Sequence, residues 1–394
     1  MTTLFPNPVN PRFGGFVARS LEALARREDW RVTVVNPIGI PPVALGRYRS
    51  LAKLPDHSQE TGISIYRQRF TLIPKLGARR NASAIAKAAL PLIERIHAQT
   101  PIDVLDAQFF FPDGPAAAWI AHKLNIPLSI KARGSDISYW GEQDFAREQM
   151  LEAAECADGL LAVSQALTDE MVAIGMPRSK IRLHYTGLDR NRFRPLNHTG
   201  LRAKLANELQ FDLPEAVPML ACVGALIERK GQDIAIAALP TLPEARLVLV
   251  GKGDDEGHLR NLAKDLGVAE RVHFAGSIDH DLLPIILSAA DLMVLPTQTE
   301  GLANAWVEAL ACGTRVITTD VGGARELITS ETSGLLAERT PEAITAAART
   351  LLENPVPSAD VAATADRFSW ERNGQELADH YAALISRAGQ MAKS

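Results

Sequence analysis

At 394 residues the chain is too long for one ordinary core and suits two domains of about 150–200 residues each. Its 46% hydrophobic and 22% charged residues are ordinary for a globular protein, which excludes disorder along the whole chain. The net charge of −4 is uneven: residues 1–190 carry 23 basic and 19 acidic side chains, the remainder 19 and 27.

Further classes fall away on simple grounds. No apolar run approaches the ~18–20 residues that span a bilayer. The opening MTTLFPNPVNPRFGGF lacks a basic region followed by an apolar stretch, so no secretory signal is expected. Cys156, Cys222 and Cys312 lie far apart without a C-x-x-C pair, and the nine histidines form no ligand-spaced cluster. A disulfide framework, a structural zinc and a built-in metal are therefore not expected, and each cysteine reads as a buried small hydrophobe. The expected location is cytoplasmic.

In chain order, only Met1–Phe5 precede the first glycine loop. That leaves little chain for a first central strand and suggests a truncated strand or a start upstream of Met1. Gly14 and Gly15 open a helical stretch, Phe16–Arg27, so backbone there could approach a phosphate or acceptor closely. A simple turn explains them nearly as well. Arg31–Asn36, Ile63–Tyr66, Asp103–Ala107, Pro127–Lys131 and Gly159–Val163 read as strands, and Ala82–Gln99 as a helix. Residues 43–95 hold ten basic and three acidic side chains, which suits an anionic membrane surface, a phosphorylated acceptor or merely a solvated face. KARGSDI sets Arg133, Ser135 and Asp136 at a strand's carboxyl end, as cleft residues for donor phosphate and acceptor hydroxyl or as a structural pair. Ser164 reads as a helix N-cap, with Gly175 and Pro177 ending that helix.

Residues 191–213, with Pro195, Asn197, His198 and Gly200, break the pattern and read as holding the linker. A second strand series follows: Met219–Val223, Arg246–Val250, Val272–Ala275, Leu292–Leu295 and Arg315–Thr318. Strands alternating with helices indicate two doubly wound parallel sheets, in which the loops after strands carry ligands. Four such loops stand out. Arg229 and Lys230 follow the first strand, and together they could neutralise a leaving diphosphate. VGKGDDEG follows the second and reads as a tight turn bordering a nucleotide base, since a dinucleotide fingerprint is not met. Asp279–Asp281 reads as helix capping rather than metal binding. Glu300 and Gly301 sit in a strand–helix turn whose helix start suits a diphosphate, with Glu308 turned ~80° away on the same helix.

Taken jointly and in order, EGLANAWVEALACGTRVI, VGALIERKG, LVGKGDDEGHL, DVGGARELI and YTGLDRNRFRP resemble the retaining GT-B glycosyltransferases of family 4. The resemblance covers almost the whole chain. It implies an α/β GT-B fold, two Rossmann-like doubly wound domains facing a central cleft. Residues 1–190 would bind acceptor and 191–370 the nucleotide-sugar, with 371–394 a closing helix packed on the N-terminal domain. By motif position Glu300 would contact donor sugar hydroxyls and Glu308 the ribose. Gly301, Leu302, Ala303 and Asn304 would surround sugar and phosphate, with Gly251, Gly253, Val272, Gly14 and Gly15 also on the donor. Lys230, Arg229, Arg133 and Asp136 complete the expected catalytic set. The family chemistry implies a UDP- or GDP-sugar donor, retention of configuration and neither metal nor other cofactor. A glycan or lipid-linked acceptor is expected, with peripheral contact at the inner membrane face and no nucleic-acid partner. Two rival classes share the architecture, a non-hydrolysing nucleotide-sugar epimerase and a non-catalytic nucleotide-sugar-binding protein. Ala225 stands where many members have Arg, and Arg133 where many have His.

Overall fold

The computed structural model describes residues 1–394 except 12, 74–76, 198, 199, 280 and 392–394. The chain divides into two compact units, Met1–Gly187 with Trp370–Ser394, and Leu188–Ser369.

The first unit contains β1 (Thr33–Ile40), β2 (His57–Glu60), β3 (Ile63–Thr71), β4 (Leu105–Ala107), β5 (Leu128–Lys131), β6 (Gly159–Ala162) and β7 (Ile181–Leu183). They form a three-stranded sheet, β1-β3-β2, and a four-stranded sheet, β4-β5-β6-β7. β2 runs antiparallel to β3, and the other strand pairs among the described residues are parallel. β5 and β6 are buried at every position, as strands covered on both faces must be.

Met1 and Thr2 stitch the two sheets together. On one side Thr2 N donates to Val35 O at 3.0 Å; on the other Gln108 N donates to Met1 O at 3.3 Å and the α-amino group to Asp106 O at 2.5 Å. The parallel ladder would next take the amide of residue 37, but that residue is Pro37. Asn36 supplies its side-chain amide to Thr2 O instead, at 2.7 Å. Because Pro37 presents its nitrogen to this edge and not to β3, β1 runs through it to Ile40, past the expected end at Asn36.

The helix Trp370–Met391 packs on Gly15–Ala25 so closely that a Cβ on Gly374 would stand 2.9 Å from Ala23 C. Buried polar bonds lock it: Ser20 Oγ donates to Asn373 Oδ1 at 2.6 Å, and His184 Nε2 lies 2.9 Å from Asn373 O. His184 Nδ1 in turn meets Lys131 Nζ at 2.7 Å. Ser164 caps its helix as expected, accepting from Leu167 N at 3.0 Å.

The second unit holds one six-stranded parallel sheet of β8 (Met219–Val223), β9 (Arg246–Val250), β10 (Val272–Gly276), β11 (Leu292–Leu295), β12 (Arg315–Thr318) and β13 (Gly334–Leu336). Its order is β10-β9-β8-β11-β12-β13. The chain winds outward from β8 through β9 to β10, then returns to β8's other side with β11. That reversal is a topological switch point, where the loops after β8 and β11 part and leave a crevice at the strands' carboxyl ends.

Within the segment expected to hold the linker, residues 201–209 form a helix held by buried Arg202, which donates to Asp291 Oδ2 at 2.6 Å and to Ala289 O at 2.9 Å. One expectation is corrected here. Cys222 and Cys312 are buried, but Cys156, the last residue of the helix Asp144–Cys156, is exposed.

Candidate functional site

The switch point explains why two distant sequence motifs meet. After β8 the chain runs through Gly224 and Ala225 to Arg229 and Lys230; after β11 it runs through Pro296 to Glu300. The Lys230 ammonium donates to the Glu300 carboxylate, and Arg229 Nη1 stands 3.7 Å from the same oxygen. Lys230 and Glu300 are each 13% exposed, and Arg229 is 44% exposed. The first two thus keep access to solvent while their attraction is screened less than at an open surface.

Backbone holds the two loops together. Gln298 N donates to Arg229 O at 2.7 Å, and the buried Thr297 hydroxyl donates to the same carbonyl at 3.1 Å. Arg339 reaches in from beyond β13, donating to Pro296 O at 3.0 Å and Glu228 O at 2.8 Å. Gly231 has φ 75, and a Cβ there would lie 2.2 Å from Pro296 O, so only glycine fits. Gly322 plays the same part under the acidic turn, where a Cβ would stand 1.9 Å from Glu300 O. Thr297, Arg339 and Gly322 were not singled out from sequence. Only Gly322 left a signal, in the glycine pair after β12.

Gly251 and Gly253 also belong here. Their loop zips onto the one after β8, with Gly224 N donating to Val250 O at 2.9 Å and Leu226 N to Lys252 O at 3.1 Å. A Cβ on Gly251 would meet Gly224 O at 1.8 Å, and one on Gly253 would meet Leu226 O at 2.0 Å. Val272 does not join them. It is the first residue of β10, buried and in register with Leu247, at the amino end of the strand. Ligand loops leave from carboxyl ends, and on β10 that end is Gly276, ~13 Å along.

Gly301, Leu302 and Ala303 lead into the helix Asn304–Ala311. Its N-cap Ala303 has no side chain able to accept from the first turn, so no side chain caps a helix start that carries partial positive charge. Asn304 is exposed there. Glu308 lies one turn on, half-buried; burial pushes its carboxyl up to about 7, against the opposing pull of Arg192. The acidic pair 279–281 shows a local turn, Asp281 N donating to Asp279 Oδ1 at 3.0 Å, and the helix itself starts at Leu283. Asp279 therefore shapes the turn before the helix and does not cap it; residue 280 lies outside the described residues. Among the described residues no group of three His, Cys, Asp or Glu could hold a metal ion.

The first unit gathers a second set. Gly14, φ 70, caps Gly15–Ala25 where a Cβ would lie 2.5 Å from Leu4 O, whereas Gly15 faces open space. Arg133 spans this loop and β4's exit: its guanidinium lies 5.0 Å from the Phe16 ring centroid, and Nε donates to Gln108 O at 3.2 Å. Burial draws its pKa down to about 10, against Asp136 and Asp106. Asp136 is fully buried and accepts from Phe110 N at 2.7 Å, Arg133 N at 2.9 Å and Gly134 N at 2.8 Å. Burial raises its pKa and those donors oppose the rise. With both oxygens accepting from backbone amides, this buried carboxylate shapes the loop.

Of the ten basic residues in 43–95, Arg67 is buried against Ser58 and Glu60, and Arg69 is paired with Asp56. Arg47, Arg49, Lys53, Arg79, Arg80, Lys87 and Arg95 are exposed, and Lys75 lies outside the described residues.

Comparison with known proteins agrees with this architecture. The family model "Glycosyl transferases group 1" matches residues 206–369 and "Glycosyltransferase Family 4" matches 14–192. A GDP-mannose-dependent alpha-(1-6)-phosphatidylinositol monomannoside mannosyltransferase of Mycolicibacterium smegmatis is 31% identical over 61% of this chain and 66% of its own length. A putative teichuronic acid biosynthesis glycosyltransferase of Bacillus subtilis is 27% identical over 87% of this chain and 86% of its own. The match to a Corynebacterium glutamicum mannosyltransferase covers 53% of that protein, so the chain spans about half to two-thirds of several curated relatives. In fold, the crystal structure of Anabaena HepE in complex with UDP superposes with a TM-score of 0.74 at 21% identity, covering 97% of this chain and 98% of that one. With both halves matched in order and the strand–loop–helix elements in place, the chain belongs to the family 4 glycosyltransferases of GT-B fold.

Proposed function

We propose that the protein transfers a sugar from a nucleotide-sugar to an acceptor hydroxyl with retention of configuration. The observation carrying this reading is the contact between Lys230 and Glu300 at the switch point of the second sheet. With donor present, Lys230 and Arg229 would turn to the diphosphate oxygens, which gain charge as the glycosidic bond breaks. Glu300, released from Lys230, would accept sugar hydroxyls, and the N–H groups at Asn304–Ala311 would face the phosphates. Glu308 would accept from the ribose. Two cations beside the leaving diphosphate supply the neutralisation that a metal ion provides elsewhere, so turnover should survive chelators. A donor phosphate oxygen would take the acceptor proton on the same face of the sugar.

GDP-mannose is the favoured donor, because the 31%-identical relative is named for it, while the UDP complex belongs to a 21%-identical fold neighbour. Val43 and Leu45, 70% and 62% exposed beside exposed Arg47 and Arg49, support a membrane-surface site and hence a lipid-linked acceptor. Among the described residues no helix is long and apolar enough to cross a membrane. Titration calorimetry with GDP, UDP and ADP, then with their sugars, tests the donor. The reading expects GDP and GDP-mannose to bind best. Epimerised free sugar formed without acceptor would instead favour the epimerase.

A further inference from the structure

The loop after β5, residues 132–143, is a rigid mount that carries side chains the fold does not use. It leaves the strand's carboxyl end, where sheets of this kind take ligands. Buried Asp136 pins its start by accepting from Phe110 N, Arg133 N and Gly134 N. Its far side is held as firmly. Gly141 N donates to Ile137 O at 2.8 Å, and a Cβ on Gly141 would lie 2.3 Å from that oxygen.

Within the loop Ser135–Ser138 form one helical turn, continued by Tyr139 N donating to Ser135 O at 3.1 Å. That spacing sets Ser135 and Tyr139 on the same face of the turn. Both are exposed, Tyr139 by 58%. Neither hydroxyl has a hydrogen-bond partner among the described residues, whereas the Ser138 hydroxyl donates to Gly134 O.

The Tyr139 ring is firmly seated. It stands edge-on to Trp140, with centroids 5.1 Å apart and planes at 79°. Trp140 in turn packs on Phe111 at 4.9 Å and Phe145 at 6.3 Å. Exposed Trp119 of the same unit differs, because Lys123 Nζ lies over its ring at 5.8 Å. A seated tyrosine offers a broad amphipathic surface and loses little freedom on contact. A pyranose matches it, having a face of C–H groups to lie on the ring and hydroxyls at its rim. A phosphate fits this face less well, since the neighbouring cation, Arg133, is bonded to Gln108 and laid over Phe16.

We propose that Ser135 and Tyr139 form a sugar-ring subsite for the acceptor. Tyr139 stacks on the ring's apolar face, and Ser135 bonds to a rim hydroxyl. The acceptor is then a glycoside, whether or not a lipid carries it, and not a bare lipid phosphate. This rests on the sugar-transfer reading and names the substrate class on its acceptor side.

The test uses the full chain saturated with GDP or UDP, whichever binds more tightly. Methyl α-mannoside, methyl β-glucoside, methyl β-galactoside and octyl phosphate are each titrated by ligand-observed NMR. The proteins are the wild type, Tyr139→Ala, Tyr139→Phe and Ser135→Ala. At least one glycoside should bind the wild type in the millimolar range, as befits so small a ligand. Tyr139→Ala should weaken it about tenfold and Ser135→Ala about threefold, while Tyr139→Phe, which keeps the ring, should cost less than about threefold. Nucleotide affinity and Tm should stay as in the wild type, because both side chains are exposed. The subsite is overturned by any of three results: no glycoside binding to the wild type, equal binding to Tyr139→Ala, or octyl phosphate binding in place of glycosides. A parallel fall in nucleotide affinity would mark Tyr139 as structural and overturn it too. Failure of both nucleotides to bind the wild type would instead sink the transfer reading, and the subsite with it.

Discussion

Each unit has a glycine-rich loop beside charged side chains, yet the charges do different things. In the second unit, Lys230 and Glu300 face one another across the switch point and remain solvent-accessible, while glycines and backbone bonds hold the loops. In the first unit, Asp136 is enclosed and taken up by three backbone amides, and Lys131 is buried against His184. Even Arg133 is bonded to Gln108 and laid over Phe16. A charge near a strand's carboxyl end is therefore not yet a reacting group. What matters is whether its polar atoms are left over once the backbone has been satisfied.

This contrast predicts different failures on substitution. The largest effect belongs to Glu300→Gln, which keeps shape but removes the charge facing the donor sugar. It should lower turnover by at least ~10²-fold with nucleotide affinity barely altered, as steady-state kinetics and calorimetry would show. Wild-type turnover would refute the assignment. Asp136→Ala should act on folding, leaving three buried amides without an acceptor, and chemical denaturation should register a loss of about 3 kcal/mol. Were its stability unchanged and only turnover lost, Asp136 would join the reacting groups after all.

Glu308 offers a smaller, pH-dependent effect. Its carboxyl titrates near 7, raised by burial, so it is neutral below that pH and charged above. A charged acceptor serves ribose hydroxyls better, so nucleotide affinity should rise a few-fold, about threefold, between pH 6 and 8. Glu308→Gln should flatten that profile. For folding the sign is opposite: the native state holds the proton more tightly, so the group's contribution to stability falls as pH rises from about 4.5 to 7.

The sequence carried the second unit better than the first for a physical reason. Runs such as MLACV and LMVL are buried at every position, and the turn after MLACV holds Gly231, where no other residue fits. By contrast β2, HSQE, is a polar edge strand defined by its antiparallel partner, and no local pattern marks it. The helix at 201–209 was hidden by the turn residues before it, and its anchor, Arg202, reads as a surface cation until Asp291 is beside it. Val272 lies at the amino end of its strand, a position that shows only once the register with β9 is set. Thr297 and Arg339 work through backbone carbonyls on other loops, a relation that exists only once the sheet has formed.

The central claim is that the charged pair between β8 and β11 receives a nucleoside diphosphate. Calorimetric titration of GDP and UDP into the wild type and Lys230→Ala tests it most directly. The account predicts that affinity for the better-bound nucleotide falls by about tenfold or more, since a charge-assisted contact to phosphate contributes ~1.5–3 kcal/mol. Equal affinity in the two proteins, with both folded, would contradict it.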